Sequence, residues 1–194
     1  MGSAKTLGEN ADVVRIMSIH KSKGLEFPVV ICSGMGKNFN TQDFKKNILY
    51  HHNLGYGPQI VDYERKISYP SIAKEALKSK INIENLSEEM RVLYVAFTRP
   101  KEKLIITGST RNIEKSLRTW ANGVEGNKPI SQYKVLKGKT FLDWIMPSVL
   151  KHKDLENLRE VAEIDLDSID NHKSKWLGKL WFKEDVILEA KEEE

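Results

Sequence analysis

The chain has 194 residues, of which 40% are hydrophobic and 30% charged, with a formal net charge of +4 and a single cysteine. That length suits one domain with a real core, or one domain and an appendage, and a lone cysteine excludes an internal disulfide framework and fits a reducing compartment, expected here to be the cytoplasm. No apolar run is long enough to cross a bilayer and no secretory leader is visible, while the modest positive balance permits contact with phosphate backbones without requiring it.

Residues 1–11, opening on Met1-Gly2-Ser3, read as a lead outside the fold. Val13, Val14 and Ile16 form a strand-like run, a polar loop follows, and 28–32 make a second apolar run closed by Gly34 and Gly36. Residues 37–69 are an insertion rich in turn formers (Asn38, Asn40, Asn53-Leu54-Gly55, Gly57-Pro58). Its stretches 59–63 and 66–69 are expected to pair as a hairpin. From Pro70 the spacing of Ile72, Ala76, Ile83, Leu86, Met90, Leu93 and Phe97 predicts a helix, with Pro70 in its first turn, a break around 82–85 and a stop at Pro100. Leu104-Ile105-Ile106 is the next strand. Strands at 13–18, 28–33 and 103–108 are therefore expected to share one parallel sheet flanked by helices, an α/β fold.

Beyond 110 the chain turns helical. One amphipathic helix is expected over 112–120 and a loop over 122–129. A second helix is marked by Phe141, Leu142, Ile145, Val149 and Leu150 with Trp144 on its flank, and a short third by Leu155, Leu158 and Val161. Residues 163–194 read as a linker and terminal segment, with a β-like run at 180–188 and a frayed charged end.

Two blocks carry residues that packing alone does not ask for. In Ser18-Ile19-His20-Lys21-Ser22-Lys23-Gly24-Leu25-Glu26-Phe27, hydroxyls and backbone N–H groups at a strand end suit phosphate oxygens. Lys21 and Lys23 add charge, Gly24 allows close backbone approach, and Glu26 can accept hydrogen bonds from a ribose hydroxyl. The alternative is a plain polar loop with Glu26 as a turn cap. In Glu88-Glu89-Met90-Arg91-Val92-Leu93-Tyr94-Val95-Ala96-Phe97-Thr98-Arg99, the last arginine ends a helix beside the sheet edge. There it can reach a phosphate on a neighbouring domain, or merely neutralise the helix C-terminus. Arg91 pairs as readily with Glu88.

The first block resembles motif V, and the second motif VI, of superfamily 1A DNA helicases of the UvrD/PcrA/RecB type. Within that superfamily the two blocks, together with Phe141-Leu142-Asp143-Trp144-Ile145, are most similar to the AddA branch, helicase–nuclease subunits of Gram-positive bacteria. Pro100 departs from the alanine usual there. The resemblance covers about 12–150 and implies a partial RecA-like (P-loop NTPase-type) domain at 12–110, a helical extension at 111–162, and 163–194 leading towards an absent nuclease domain. It implies ATP with Mg2+ in the parent enzyme, with Mg2+ not ligated by this segment. It implies that Arg99 is catalytic and touches the γ-phosphate, that Gly24 and Glu26 lie at the nucleotide, and that Ser18 and His20, with Lys21 and Lys23, face single-stranded DNA. Arg91 would brace the motif. The implied partners are single-stranded and duplex DNA, the first RecA-like domain of the parent and an AddB-type subunit, with no membrane and no metal held by this chain. The parent activity would be ATP-dependent DNA unwinding with nuclease action in double-strand break repair and recombination. The rival reading is a non-catalytic DNA- or protein-binding module that kept this fold.

No P-loop is present: the only Gly-Lys-Thr is Gly138-Lys139-Thr140, and Tyr133 stands where the first glycine is needed. His51, His52, His152 and His172 lack zinc-ligand spacing and read as surface histidines.

Overall fold

The computed structural model describes residues 13–124 and 128–185. Strand β1 (Phe27–Cys32) lies parallel to β5 (Pro100–Ile106), with Val29 opposite Lys103, Val30 opposite Leu104, Ile31 opposite Ile105 and Cys32 opposite Ile106. Parallel neighbours need a crossover. Here it contains the insertion and the 26-residue helix α1 (Ile72–Phe97). The result is an α/β fold, a parallel two-stranded sheet flanked by helices in a partial RecA-like arrangement, with helices following it.

Among the described residues, the helices α2 (Ile113–Ala121), α3 (Gln132–Lys137), α4 (Phe141–Val149) and α5 (Glu156–Val161) come after β5. Of these, α2, α4 and α5 share one core with the sheet, while Val135 of α3 packs against a second cluster of Leu86, Leu93, Trp144 and Ile145. Cys32 at the end of β1, Met35 just after it, Ala96 near the end of α1, Leu117 and Trp120 of α2, Leu142 of α4 and Leu158 of α5 form a single buried cluster. Burial in that cluster raises the Cys32 thiol above its ordinary value. Val30 packs against the cluster, whereas Val29 and Ile31 on the opposite face of β1 are exposed. Such a strand, apolar on both faces, is the pattern of a sheet covered on both sides. Among the described residues only one side is covered.

The run 13–18 is not a strand. It has no ladder partner among the described residues, and Ile16 is 98% exposed. Helix α1 shows no break at 82–85; it runs unbroken and starts at Ile72, two residues after Pro70. Pro70 ends a strand instead, and the Ser71 side chain caps α1 by accepting from the Lys74 N–H at 3.1 Å. Ile72, at 92% exposed, and Ala76 face outward, and Leu77, Leu86, Leu93 and Ala96 supply the buried side. The strand at Ile48–His51 and the helix α3 are not among the expected elements. Leu180 to Phe182 are not extended strand, 183–185 turn helical, and 186–188 of the expected run, like the lead at 1–11, lie outside the described residues. Between them, residues 164–182 pack rather than drift. The Trp176 N–H donates to Asp154 Oδ2 at 3.0 Å, Asn157 Nδ2 donates to the Gly178 carbonyl at 2.8 Å, and Gly178 lies against Leu155 and Leu158. No helix among the described residues is long and apolar enough to cross a membrane.

The insertion folds as a three-stranded antiparallel sheet, β2 (Ile48–His51), β3 (Gly55–Asp62) and β4 (Ile67–Pro70), and so contains the expected hairpin. Alternation along β2 turns Leu49 and His51 inward and Ile48 and Tyr50 outward. The sheet packs on α1, where Gly57 approaches so closely that a Cβ would stand 2.6 Å from the Lys74 Cα. His51 is not a surface residue: it is 4% exposed and its Nε2 lies 3.1 Å from Glu84 Oε2, on the turn of α1 where a break was expected. His152, also buried, lies 3.1 Å through Nε2 from the His172 carbonyl.

Glu84 also pairs with Lys80 Nζ at 3.2 Å. Lys80 first, and His51 after it, hold the Glu84 carboxyl below its ordinary value. A carboxyl lowered in this way stabilises the folded state while it is ionised. Its contribution is complete above the ordinary glutamate range and disappears as pH falls through the lowered value. Glu84→Gln is therefore expected to speed amide exchange in β2 at neutral pH and to leave exchange unchanged in acid below that value. Hydrogen exchange across this pH range checks it, and a variant that exchanges like the wild type at neutral pH would count against the pair.

Candidate functional site

The first block begins with a single 3-10 turn over Ile19–Ser22, preceded by Ser18 in extended conformation. The turn closes through Lys21 N–H to Ser18 O at 3.0 Å and Leu25 N–H to Ser22 O at 3.0 Å. Gly24 sits at φ +83°, a left-handed conformation that glycine adopts at little cost, and there the chain turns into β1. Ser18, His20, Lys21 and Lys23 all point to solvent. Ser22 does not: it is buried, and its hydroxyl donates to the Ile19 carbonyl at 2.7 Å. The turn packs against α1, which brings the second block to it.

Where α1 ends, the two blocks are joined atom to atom. Arg99 donates from Nη1 to the Leu25 carbonyl at 2.9 Å, from Nε to the Val95 carbonyl at 2.9 Å and from Nη2 to Thr98 Oγ1 at 2.8 Å. Its own carbonyl accepts from the Phe27 N–H at 3.0 Å. Lys101 Nζ lies 3.3 Å from Glu26 Oε2, both side chains being largely exposed. Such an exposed pair is worth little and exchanges readily for another partner. Arg91 stands apart, ion-paired with Glu88 on the exposed side of α1.

A guanidinium carries five N–H donors. Three are engaged, one each on Nε, Nη1 and Nη2, which leaves one N–H on each Nη. An N–H left on a guanidinium in this way is a charge-assisted donor for an oxygen of a phosphate or carboxylate. The structure thus brings together Gly24, Glu26 and Arg99, with Ser18, His20, Lys21 and Lys23 on the adjoining turn, and leaves Arg91 outside the group. Sequence reasoning missed the Leu25 carbonyl, Lys101 and the Thr98 hydroxyl. A threonine directly before an arginine at a helix end was a usable signal for the last of these.

Gly138-Lys139-Thr140 has another use. A Cβ at Gly138 would meet Trp144 Nε1 at 2.3 Å, and Thr140 caps α4 by accepting from the Asp143 N–H. Trp144 is buried rather than flanking, its Nε1 donating to the Val135 carbonyl at 2.8 Å.

Residues 2–111 match the UvrD-like helicase C-terminal domain family. The chain belongs to that family. Over its whole length it is 77% identical to the A subunit of the ATP-dependent helicase/nuclease of Clostridioides difficile, covering 15% of that protein. Over 97% of its length it is 62% identical to the protein of the same name from Thermoanaerobacter pseudethanolicus, again 15% of the relative. A Clostridium botulinum relative of that name is 57% identical over the whole chain. The chain therefore spans about 15% of the length of the curated relatives it matches. The match to the UvrD-like helicase C-terminal domain ends just past β5, so it takes in both blocks and every contact that joins them. The C-terminal helices lie outside that match but inside the alignment with the relatives.

Proposed function

We propose that this chain is part of an ATP-dependent DNA helicase/nuclease that works in double-strand break repair and recombination in the cytoplasm, beside an AddB-type subunit. In this reading ATP is held with Mg2+ by a first RecA-like domain outside the chain, which itself ligates no Mg2+. Arg99 contacts the γ-phosphate, Gly24 lies beside the phosphates, and Glu26 exchanges Lys101 for the ribose. Ser18, His20, Lys21 and Lys23 form part of the track for single-stranded DNA, and Arg91 supports α1. The observation that carries the reading is the anchoring of Arg99 on the Leu25 carbonyl, just past the turn that bears Lys21, with one N–H on each Nη left for an outside acceptor. The relatives, each named as the A subunit of an ATP-dependent helicase/nuclease, support it.

The isolated chain tests it. With the triphosphate cradle elsewhere, the purified chain is expected to hydrolyse no ATP. It should bind single-stranded DNA weakly, losing about seven- to twentyfold in affinity between 50 and 200 mM salt for two or three phosphate contacts. Replacing His20, Lys21 and Lys23 together by alanine should flatten that slope. Steady ATP turnover that depends on Arg99, or tight binding indifferent to salt, would overturn the reading.

A further inference from the structure

Thr98 stands between the end of α1 and the guanidinium of Arg99. Its hydroxyl has a single hydrogen, within reach of the Tyr94 and Val95 carbonyls, each at 3.0 Å. With that hydrogen committed to the helix end, the oxygen offers the guanidinium only lone pairs, the polarity a cation requires. Arg99 Nη2 donates to it at 2.8 Å. The other two contacts of the guanidinium, Val95 O and Leu25 O, are backbone carbonyls that any side chain at those positions would leave in place. Three contacts to three different nitrogens fix both the plane of the group and its rotation within that plane. Thr98 is the one side chain among them.

We propose that Thr98 is a positioning residue for Arg99. Its Oγ1 holds Nη2 so that the guanidinium keeps one orientation while it offers the uncommitted N–H on each Nη to an incoming phosphate. The inference rests on the reading of Arg99 given above. Without Thr98 Oγ1, the guanidinium keeps two anchors but can tilt about the line joining them, and its free N–H groups no longer keep one direction towards the phosphate.

The test is DNA-stimulated ATP hydrolysis by the full-length protein carrying Thr98→Val, Thr98→Ser, Arg99→Ala and the Thr98→Val/Arg99→Ala pair. Valine keeps the shape and removes the acceptor. It is expected to lower kcat about ten- to hundredfold, the scale of an ångström-level misplacement, with KM for ATP within about twofold because ground-state binding is little changed. Serine restores the acceptor and should recover most of the rate. In the Arg99→Ala background, Thr98→Val should cost nothing more, since residues acting as one unit are not additive. Full kcat in Thr98→Val while Arg99→Ala is crippled would overturn the role of Thr98 alone. Losses that multiply in the pair would overturn it too, since Thr98 would then act on something other than Arg99. Unchanged kcat in Arg99→Ala would instead remove the phosphate role of Arg99, and this inference with it. Melting temperatures measured on the same proteins identify a merely structural role: a drop in stability with kcat and KM intact.

Discussion

Arg99→Ala in the full-length protein is expected to lower ATP turnover by about 10³–10⁵, the range over which an arginine that stabilises charge on a transferred phosphoryl group acts. Unwinding should fall with it. Arg99→Lys should recover little, because an ammonium cannot reproduce a planar fork held at Val95 O, Leu25 O and Thr98 Oγ1 at once. The structural cost should be small by comparison. The arginine makes charge-assisted hydrogen bonds in a partly exposed place, and removing them is worth about 1–2 kcal/mol. The two roles therefore predict different patterns in one pair of measurements. DNA-stimulated ATPase should collapse while the melting temperature moves by a few degrees. Near-normal ATPase with a lowered melting temperature would assign Arg99 to helix termination and loop anchoring only.

Much of the site was legible in the sequence because its chemistry is local. Gly24 before a strand, cationic residues on a tight turn and an arginine just ahead of Pro100 announce themselves without any knowledge of their neighbours. What joins them was not legible. The acceptor of Arg99 Nη1 is a backbone carbonyl 74 residues away, at Leu25, and a carbonyl has no side-chain identity to read. Likewise Ser22 looks like its neighbours Ser18 and His20, yet the 3-10 turn points its hydroxyl back into the protein.

The fold shows the same division. The parallel strands β1 and β5 and helices α1, α2 and α4 were visible from apolar spacing. The run Val13, Val14, Ile16 has the composition of a strand, but a strand exists only through a neighbour, and none lies beside it among the described residues. The asparagines at 82 and 85 weaken a helix locally. Glu84 between them, engaged by Lys80 and by His51 of β2, belongs to a tertiary contact that overrides that preference. The same contact buries His51, whose partner lies 33 residues away. In the C-terminal part, α3 escaped notice because its role depends on α2: Lys134 donates to the Trp120 and Asn122 carbonyls, closing the end of that helix. Burial there, with Lys151 nearby, lowers the Lys134 ammonium below its ordinary value.

Asp143→Ala is expected to damage stability in the helical part of the chain severely, although it removes no large apolar side chain. One carboxylate serves both α2 and α4. Its Oδ1 accepts from the buried indole of Trp120 at 2.8 Å, and its Oδ2 accepts from the Lys139 and Thr140 N–H groups at 2.8 and 3.0 Å. The Thr140 side chain in turn accepts from the Asp143 N–H, completing a capping box. Loss of a cap costs about 1 kcal/mol, and an indole N–H left unsatisfied in the core costs about 1–3 kcal/mol. The two sum to about 3 kcal/mol, since groups sharing one partner do not add fully. Asp143→Asn keeps a single acceptor oxygen, which can serve the indole or the two backbone donors but not both, so it should lose about half as much. Denaturant unfolding of the chain, followed by tryptophan fluorescence, checks both values. The midpoint should fall in the order wild type, Asn, Ala, at constant m, because the surface exposed on unfolding is unchanged. An alanine variant that loses less than about 1 kcal/mol would show that water replaces the carboxylate, and that the packing of Trp120 against Leu117 and Leu142, rather than its hydrogen bond, holds α2 on α4.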